Sequence, residues 1–237
     1  MVIPLHDDNP SSTKPYVTVG IMISCVLVYV WQHLLLSDDG AREALYAFGA
    51  IPAVLTGEKH LPDGIAVIPP WASLLTSMFM HGGFWHLAGN MLYLWVFGNN
   101  IEDAMGHVRY FIFYLLCGVA AGLAHIVFNA RSNVPTVGAS GAISGILGGY
   151  MVMFPRNRVR VLTRGGVAAV PAFVMLGLWI LIQLVSSVGS VARTEQTEGG
   201  GVAFLAHVGG FVAGLILVKL FVARRGLPGV GGQPLRY

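Results

Sequence analysis

Charged residues are scarce in this sequence. Asp, Glu, Lys and Arg make up 11% of its 237 residues, and hydrophobic residues make up 55%. Soluble domains carry about 25% charged residues, so the deficit excludes an ordinary water-soluble domain and points to a lipid bilayer. A transmembrane helix needs about 17–25 apolar residues. Six runs are long enough: Tyr16–Leu36, Gly82–Gly98, Tyr110–Phe128, Val134–Phe154, Val167–Val191 and Val202–Val222. We therefore predict an all-α, polytopic membrane protein, a bundle of six transmembrane helices.

Cysteine is equally rare. The sequence has two, Cys25 and Cys117, and each lies inside an apolar run. A disulfide framework would place cysteines in the outer loops, and a metal site would show a close pair such as Cys-x-x-Cys. Neither pattern occurs, so we interpret both as small buried hydrophobic residues. The His-Glu-x-x-His motif of metalloproteases is also absent.

The few basic residues are distributed unevenly. With a cytoplasmic N-terminus, ten of the fourteen Lys and Arg residues fall on the inner side and four on the outer side. Short cytoplasmic loops carry such an excess, and residues 156–164 alone hold four arginines in what we expect to be a solvated inner loop. We therefore place both termini on the cytoplasmic side of a plasma membrane. The net charge of +3 then reflects topology, and no basic stripe indicates a nucleic-acid partner.

These assignments divide the chain into three parts. We expect residues 1–15 to be a short cytoplasmic tail, 16–223 the six-span domain, and 224–237 a flexible, Gly- and Pro-rich cytoplasmic tail. Residues 37–81 form a long outer loop that is too apolar to be disordered, so part of it should lie in the membrane interface.

Three polar residues reach one depth from three different runs. His86, Ser140 and His207 lie about four to six residues below the outer ends of the second, fourth and sixth runs. At 1.5 Å per residue this is about 6–9 Å below the outer boundary. Polar residues inside a membrane indicate function by default.

Small residues explain how two of these side chains could meet. The fourth and sixth runs repeat small residues every four positions: Gly141, Gly145 and Gly149 in one, and Ala206, Gly210 and Gly214 in the other. Such faces let two helix backbones approach closely. Ser140 and His207 lie at the heads of these two faces. The Ser140 hydroxyl and the His207 imidazole would then lie within hydrogen-bond reach, the arrangement that activates a weak nucleophile.

An oxyanion could be held beside the same serine. Ser140 lies near the N-terminus of its helix, where backbone N–H groups lack partners. His86 and Asn90 are four residues apart and share one helical face, so both could donate there. Every Asp and Glu lies in a loop or tail, with Glu102 and Asp103 on the inner side. We therefore predict a Ser–His dyad without an acidic partner.

These residues carry a family resemblance. The chain resembles the bacterial six-span rhomboid intramembrane serine proteases from about Tyr16 to Val222. The matching motifs are "HGGFWHLAGN", "EDAMGHVR", "GASG" and "AHVGGFVAG". One departure is that many relatives carry Trp-Arg in the first outer loop, whereas here Ala72 follows Trp71.

The resemblance implies a metal-free, ATP-independent protease that needs no cofactor and cuts other transmembrane proteins near the outer leaflet. It implies Ser140 as nucleophile, His207 as general base, and an oxyanion hole lined by His86, Asn90 and the N–H of Ser140. In this family the fifth span and the loop before the sixth control substrate access, here Val167–Val191 and residues 194–204.

Two other functions stay open at this point. A rhomboid-like pseudoprotease would bind membrane proteins without cutting them, although such members typically lack the serine or the histidine. A metal or proton transporter could use the outer histidines His81, His86, His125 and His207. A transporter would leave Ser140 unexplained, and transporters of this kind usually use carboxylates within the membrane, which this sequence lacks. We interpret His81 as a structural residue of the outer loop and His125 as a hydrogen-bonded polar group. The natural substrate and the oligomeric state cannot be read from the sequence.

Overall fold

The computed structural model describes residues 3–191 and 204–222. Its helices are α1 (Tyr16–Val30), α2 (Asp38–Phe48), α3 (Pro52–Leu55), α4 (Ser73–Thr76), α5 (Phe84–Met105), α6 (His107–Phe128), α7 (Ser140–Met153), α8 (Ala172–Val191) and α9 (Phe204–Phe221). A π-helical turn at Trp31–Leu35 extends α1, and a 3-10 turn at Pro70–Ala72 precedes α4. The predicted flexible tail 224–237 and most of the predicted access loop before α9 lie outside the described residues.

The prediction of a mostly helical membrane protein is confirmed. Within the described residues, three helical segments are long and apolar enough to cross a bilayer: Tyr16–Leu35, His107–Phe128 and Phe204–Phe221. Two further apolar helices, Ser140–Met153 and Ala172–Ser187, are shorter. The 22-residue α5 is long enough but ends in the polar sequence "NNIEDAM". The count of six spans stays a prediction.

The prediction of an all-α fold is wrong in one region. A three-stranded antiparallel sheet contains β1 (Ile3–Asp7), β2 (Arg158–Thr163) and β3 (Gly166–Pro171), in that order. The arginine-rich segment expected to be a solvated loop is therefore β2. The cause is a two-residue alternation, in which Val159 and Val161 are buried while Arg158 and Arg160 are exposed, as in a strand with one buried face.

Two of the apolar runs also begin before the helices that they contain. The fifth run begins inside β3, and its helix starts only at Ala172. The fourth run begins six residues before its helix, which starts at Ser140. Apolar composition marks burial as well as helix, so it cannot locate where helical backbone begins.

Glu102, near the end of α5, holds the start of α1. Its carboxylate is fully buried and accepts hydrogen bonds from the backbone N–H groups of Val17 and Thr18 at 2.8 Å and from the Thr18 hydroxyl at 2.7 Å. The His107 ring nitrogen Nδ1 lies 2.6 Å from Oε1 of the same carboxylate. Helix N-termini leave such N–H groups without helical partners, and a carboxylate there also complements the helix dipole.

This arrangement predicts that Glu102→Gln destabilises the fold. The amide would present N–H groups to donors that now meet a carboxylate oxygen, leaving a buried donor without a partner. We expect the free energy of unfolding to fall by about 2–3 kcal/mol, measured by reversible unfolding in detergent micelles.

The matched control is Asp103→Asn at the next position. Asp103 accepts hydrogen bonds from Ser12 and Thr13, but these contacts are exposed. We expect a loss below about 1.5 kcal/mol. An equal loss in both variants would contradict the assigned role of Glu102.

Candidate active site

Helices α7 and α9 approach closely because glycines line the face they share. A methyl group added at Gly210 would collide with the carbonyl oxygen of Gly141, and one added at Gly214 with that of Gly145. The predicted contact between the two small-residue faces is thus confirmed at these positions. Gly149, the last predicted member, faces side chains of α6 and α9 instead.

The same approach brings Ser140 and His207 together. The Oγ atom of Ser140 lies 2.8 Å from Nε2 of His207, within hydrogen-bond distance. Ser140 is the first residue of α7, and His207 lies in the first turn of α9, three residues before Gly210. The imidazole is 8% exposed. A hydroxyl and a ring nitrogen in this arrangement can exchange a proton.

The other ring nitrogen of His207 has a partner that the sequence analysis missed. Its Nδ1 atom lies 2.8 Å from Oε1 of Gln183 on α8, and Gln183 is buried. One turn earlier on α8, the Trp179 ring stacks at a tilt on the imidazole, with centroids 5.9 Å apart. An amide inside an apolar run was the available signal, because intramembrane polar residues usually indicate function.

No carboxylate contacts the His207 ring among the residues that the structure describes. Glu195 and Glu198 fall in 192–203, outside the described part of the chain. A dyad without an acidic partner therefore stays a prediction.

His86 and Asn90 lie against the loop that leads into α7. Gly138 in that loop has φ +121°, a backbone conformation that favours glycine. A methyl group there would lie 2.7 Å from the His86 ring and 3.5 Å from Nδ2 of Asn90. The N–H of Gly138 donates to the carbonyl of Ser77 at 2.8 Å, which fixes the loop. The structure thus places both predicted oxyanion-hole side chains next to the segment that carries Ser140.

Asn90 has an unsatisfied donor. Its side chain is buried, and Nδ2 makes no hydrogen bond within the described residues. Buried polar groups are nearly always paired, and each exception calls for an explanation. The backbone N–H of Ser140 also lacks an intrahelical partner, because Ser140 is the first residue of its helix. Both groups are therefore available as donors to a ligand.

The remaining outer histidines have structural partners. His81 is buried, its Nδ1 lies 3.2 Å from the Phe79 carbonyl, and its carbonyl oxygen lies 2.9 Å from the His33 ring. Burial lowers the pKa of His81 to about 4, so the ring is neutral. His125 contacts Asn129, whose amide donates to the His125 carbonyl at 2.9 Å. Within the described ranges, no three His, Cys, Asp or Glu residues cluster as metal ligands do.

The site opens into a cleft of about 1410 Å³. Ser140, His207, His86 and Asn90 all line it, and its walls include Trp85 and residues of α5 and α8. The cleft therefore joins the proposed reactive groups to a space that a polypeptide segment could enter.

Comparisons with known proteins bear on the same region. The sequence model of the family described as "Rhomboid domain" matches residues 69–224. Rhomboid protease GluP of Bacillus subtilis (strain 168) is 30% identical over 209 residues, which cover 87% of this chain and 35% of that protein. Rhomboid protein 1, mitochondrial, of Saccharomyces cerevisiae is 30% identical over 148 residues, covering 61% of this chain and 40% of its own length.

A plant protein is similar to this chain as well. RHOMBOID-like protein 5 of Arabidopsis thaliana is 29% identical over 151 residues, covering 64% of this chain and 44% of the relative. The chain thus spans less than half the length of these curated relatives. The resemblance found in the sequence motifs is confirmed.

The packing of α9 on α7 predicts a specific effect of Gly210→Ala. The added methyl group would collide with the backbone of α7, so α9 must move away and carry His207 with it. Overpacking of this kind costs about 1–3 kcal/mol, measured as the free energy of unfolding in detergent.

Gly20→Ala in α1 is the matched control, because nothing lies within 4 Å of the added methyl group. Alanine favours helix over glycine, so this variant should be as stable as the unmodified protein or more so. Equal stability of the two variants would contradict tight backbone packing between α7 and α9.

Proposed function

The chain belongs to the rhomboid family, and from that premise we propose that it is an intramembrane serine endopeptidase that cleaves transmembrane segments of other membrane proteins near the outer leaflet. The observation that carries the proposal is the 2.8 Å separation of Ser140 Oγ and His207 Nε2. The name of the Bacillus relative, a rhomboid protease, supports the same activity.

In the proposed mechanism, Ser140 and His207 divide the chemistry. Nε2 of His207 accepts the hydroxyl proton as Ser140 Oγ attacks the scissile carbonyl carbon, and a tetrahedral intermediate forms. The imidazolium then donates that proton to the leaving amine as the peptide C–N bond breaks. A water molecule hydrolyses the resulting acyl-enzyme with His207 again as base. The reaction needs no metal ion or other cofactor.

The negative oxygen of the tetrahedral intermediate needs donors. We assign this role to the Asn90 amide, the His86 ring and the backbone N–H of Ser140. The support for Asn90 is its buried Nδ2, which lacks a protein partner among the described residues. A donor placed for the oxyanion before the reaction is worth about 3–4 kcal/mol of transition-state stabilisation.

The substrate is proposed to be a single-span or other transmembrane protein that reaches the cleft from the lipid bilayer. Apolar residues of α8 such as Leu178 and Ile182 line the cleft and are about half exposed, which suits a membrane-embedded chain. The protein is a multi-pass membrane protein. We further propose six spans, from the six apolar runs, and cytoplasmic termini, from the excess of Lys and Arg on the inner side. We also propose a plasma-membrane location.

Two alternatives make different predictions. A pseudoprotease would bind clients without cutting them, but it has no need for a serine hydroxyl within hydrogen-bond distance of an imidazole. A transporter would use the outer histidines together, whereas His81 Nδ1 meets the Phe79 carbonyl and His125 contacts Asn129. Within the described residues, no three His, Cys, Asp or Glu residues cluster as metal ligands do.

The first test is cleavage of a reporter in reconstituted membranes. The reporter has one transmembrane span with small and helix-breaking residues in its outer third. We expect a defined product that disappears with Ser140→Ala and with His207→Ala, because each removes a reacting group. The product should persist in the presence of a metal chelator.

Ser24→Ala serves as the serine control, because Ser24 is exposed and its hydroxyl donates to the Gly20 carbonyl of its own helix. This variant should cleave normally. A fluorophosphonate probe should label the unmodified protein and not Ser140→Ala. Cleavage that survives Ser140→Ala would rule out serine chemistry. Intact reporter and an unlabelled serine would favour the pseudoprotease.

The oxyanion assignment predicts a large kinetic effect of Asn90→Ala. Removing one such donor lowers kcat by about 10²–10³-fold and should leave KM nearly unchanged, because the donor acts mainly in the transition state. Steady-state kinetics with the reporter measure both constants.

Asn100→Ala is the control on the same helix. Asn100 is buried, its amide donates to the Asn9 carbonyl at 2.9 Å, and it lies ten residues, about 15 Å, further along α5. The Asn100→Ala variant should lower the free energy of unfolding without a large loss of kcat. Equal losses of kcat in both variants would contradict the role of Asn90.

A further inference from the structure

The proposed dyad has a neighbour on α8 that neither the motifs nor the comparisons assign. Oε1 of Gln183 lies 2.8 Å from Nδ1 of His207, on the ring edge opposite Ser140. Gln183 and His207 are 9% and 8% exposed. Trp179, four residues earlier on α8, packs on the face of the same ring. Two residues one helical turn apart therefore hold the imidazole from two directions.

Resting on the proposed function, we propose that Gln183 is a positioning residue: its amide oxygen accepts a hydrogen bond from Nδ1–H of His207 and thereby keeps Nε2 free to act as base toward Ser140. Serine proteases that carry a buried carboxylate use it for this purpose, to hold the histidine in one tautomer and orientation. Here a neutral amide takes that place.

The chemistry determines which amide atom must face the ring. A neutral imidazole carries one proton, and the tautomer is set by the bond at the other nitrogen. If Nε2 is to accept the serine proton, the ring proton resides on Nδ1, and Nδ1 then needs an acceptor. The amide oxygen provides one. The reverse orientation, with the amide N–H₂ donating to Nδ1, would place the proton on Nε2 and leave no base for Ser140.

A neutral acceptor also suits this environment. Most of α8 around Gln183 faces outward, with Ile182 and Leu184 52% and 44% exposed, and a carboxylate in an apolar membrane segment is costly. An amide supplies an oxygen acceptor without that charge. A carboxylate would also stabilise the imidazolium that forms on His207, and the neutral amide does not. Removing the amide should therefore lower kcat less than removing a carboxylate from this position would.

The alternative is that Gln183 only joins α8 to α9. Hydrogen bonds between membrane helices typically contribute about 0.6–2 kcal/mol. If the bond were purely structural, its loss would change the stability, or the position of α8 and hence KM. The value of kcat would then not depend on whether residue 183 accepts or donates at Nδ1.

The test compares three replacements at Gln183 in the full-length protein, reconstituted with the single-span reporter. Gln183→Met keeps the volume and removes the acceptor, and Gln183→Glu keeps an oxygen acceptor and removes the N–H₂ donor. Gln183→Asn keeps the amide but withdraws it by one methylene group, and it serves if the methionine variant fails to fold. Gln32→Met is the matched control, a buried glutamine of the π-helical turn whose amide makes no hydrogen bond within the described residues.

We expect Gln183→Met and Gln183→Asn to lower kcat about 10–100-fold with KM changed less than about twofold. Labelling by a fluorophosphonate probe, which needs no membrane substrate, should slow by a similar factor. Gln183→Glu should retain kcat within about threefold, and Gln32→Met should match the unmodified protein.

Three results would overturn the inference: unchanged kcat in Gln183→Met, a loss confined to KM, or a loss in Gln183→Glu as large as in Gln183→Met. None of these touches the proposed protease activity, which fails if the unmodified protein leaves the reporter intact or if the Ser140→Ala variant still cleaves it.

Discussion

The whole site depends on the contact between the backbones of α7 and α9. Gly210 meets the carbonyl of Gly141, and Gly214 meets that of Gly145, with no room for a side chain. Lipid provides little hydrophobic drive for helix association, so close van der Waals packing must hold the pair together. Because Ser140 and His207 lie at one end of this contact, the distance between their side chains is set by how closely the glycines allow the helices to approach.

Much of this arrangement could be predicted from the sequence, because the signals are local and chemical. Glycines at four-residue spacing indicate a helix contact whatever the rest of the chain does, and a serine and a histidine at matching depths indicate which polar groups meet. The start of α7 and the sheet were mispredicted for a common reason. Residues 134–139 and 167–171 are apolar yet not helical, and the length of an apolar run does not locate where helical backbone begins.

Gln183 was missed for another reason. Its importance arises from the rotation of α8 about its own axis, which places Trp179 and Gln183 against His207, whereas Leu181 and Ile182 between them are about half exposed. That rotation is set by packing against α9 and by the start of α8 at Ala172. A helix that is apolar on all sides shows little preference for one face. Glu102, near the end of α5, is a different case, because the backbone N–H groups that it accepts from lie at the start of α1, where a helix always leaves such groups without partners.

The brevity of α7 has a consequence for water. Its 14 residues extend about 21 Å, about 9 Å less than the hydrocarbon thickness of a typical bilayer. Backbone that is not helical at such depth requires shelter by neighbouring protein or a hydrated recess, and residues 134–139, which lead into Ser140, are not helical. On the proposed function, such a recess above the Ser140 hydroxyl would let the water that hydrolyses the acyl-enzyme arrive from the aqueous phase without crossing lipid.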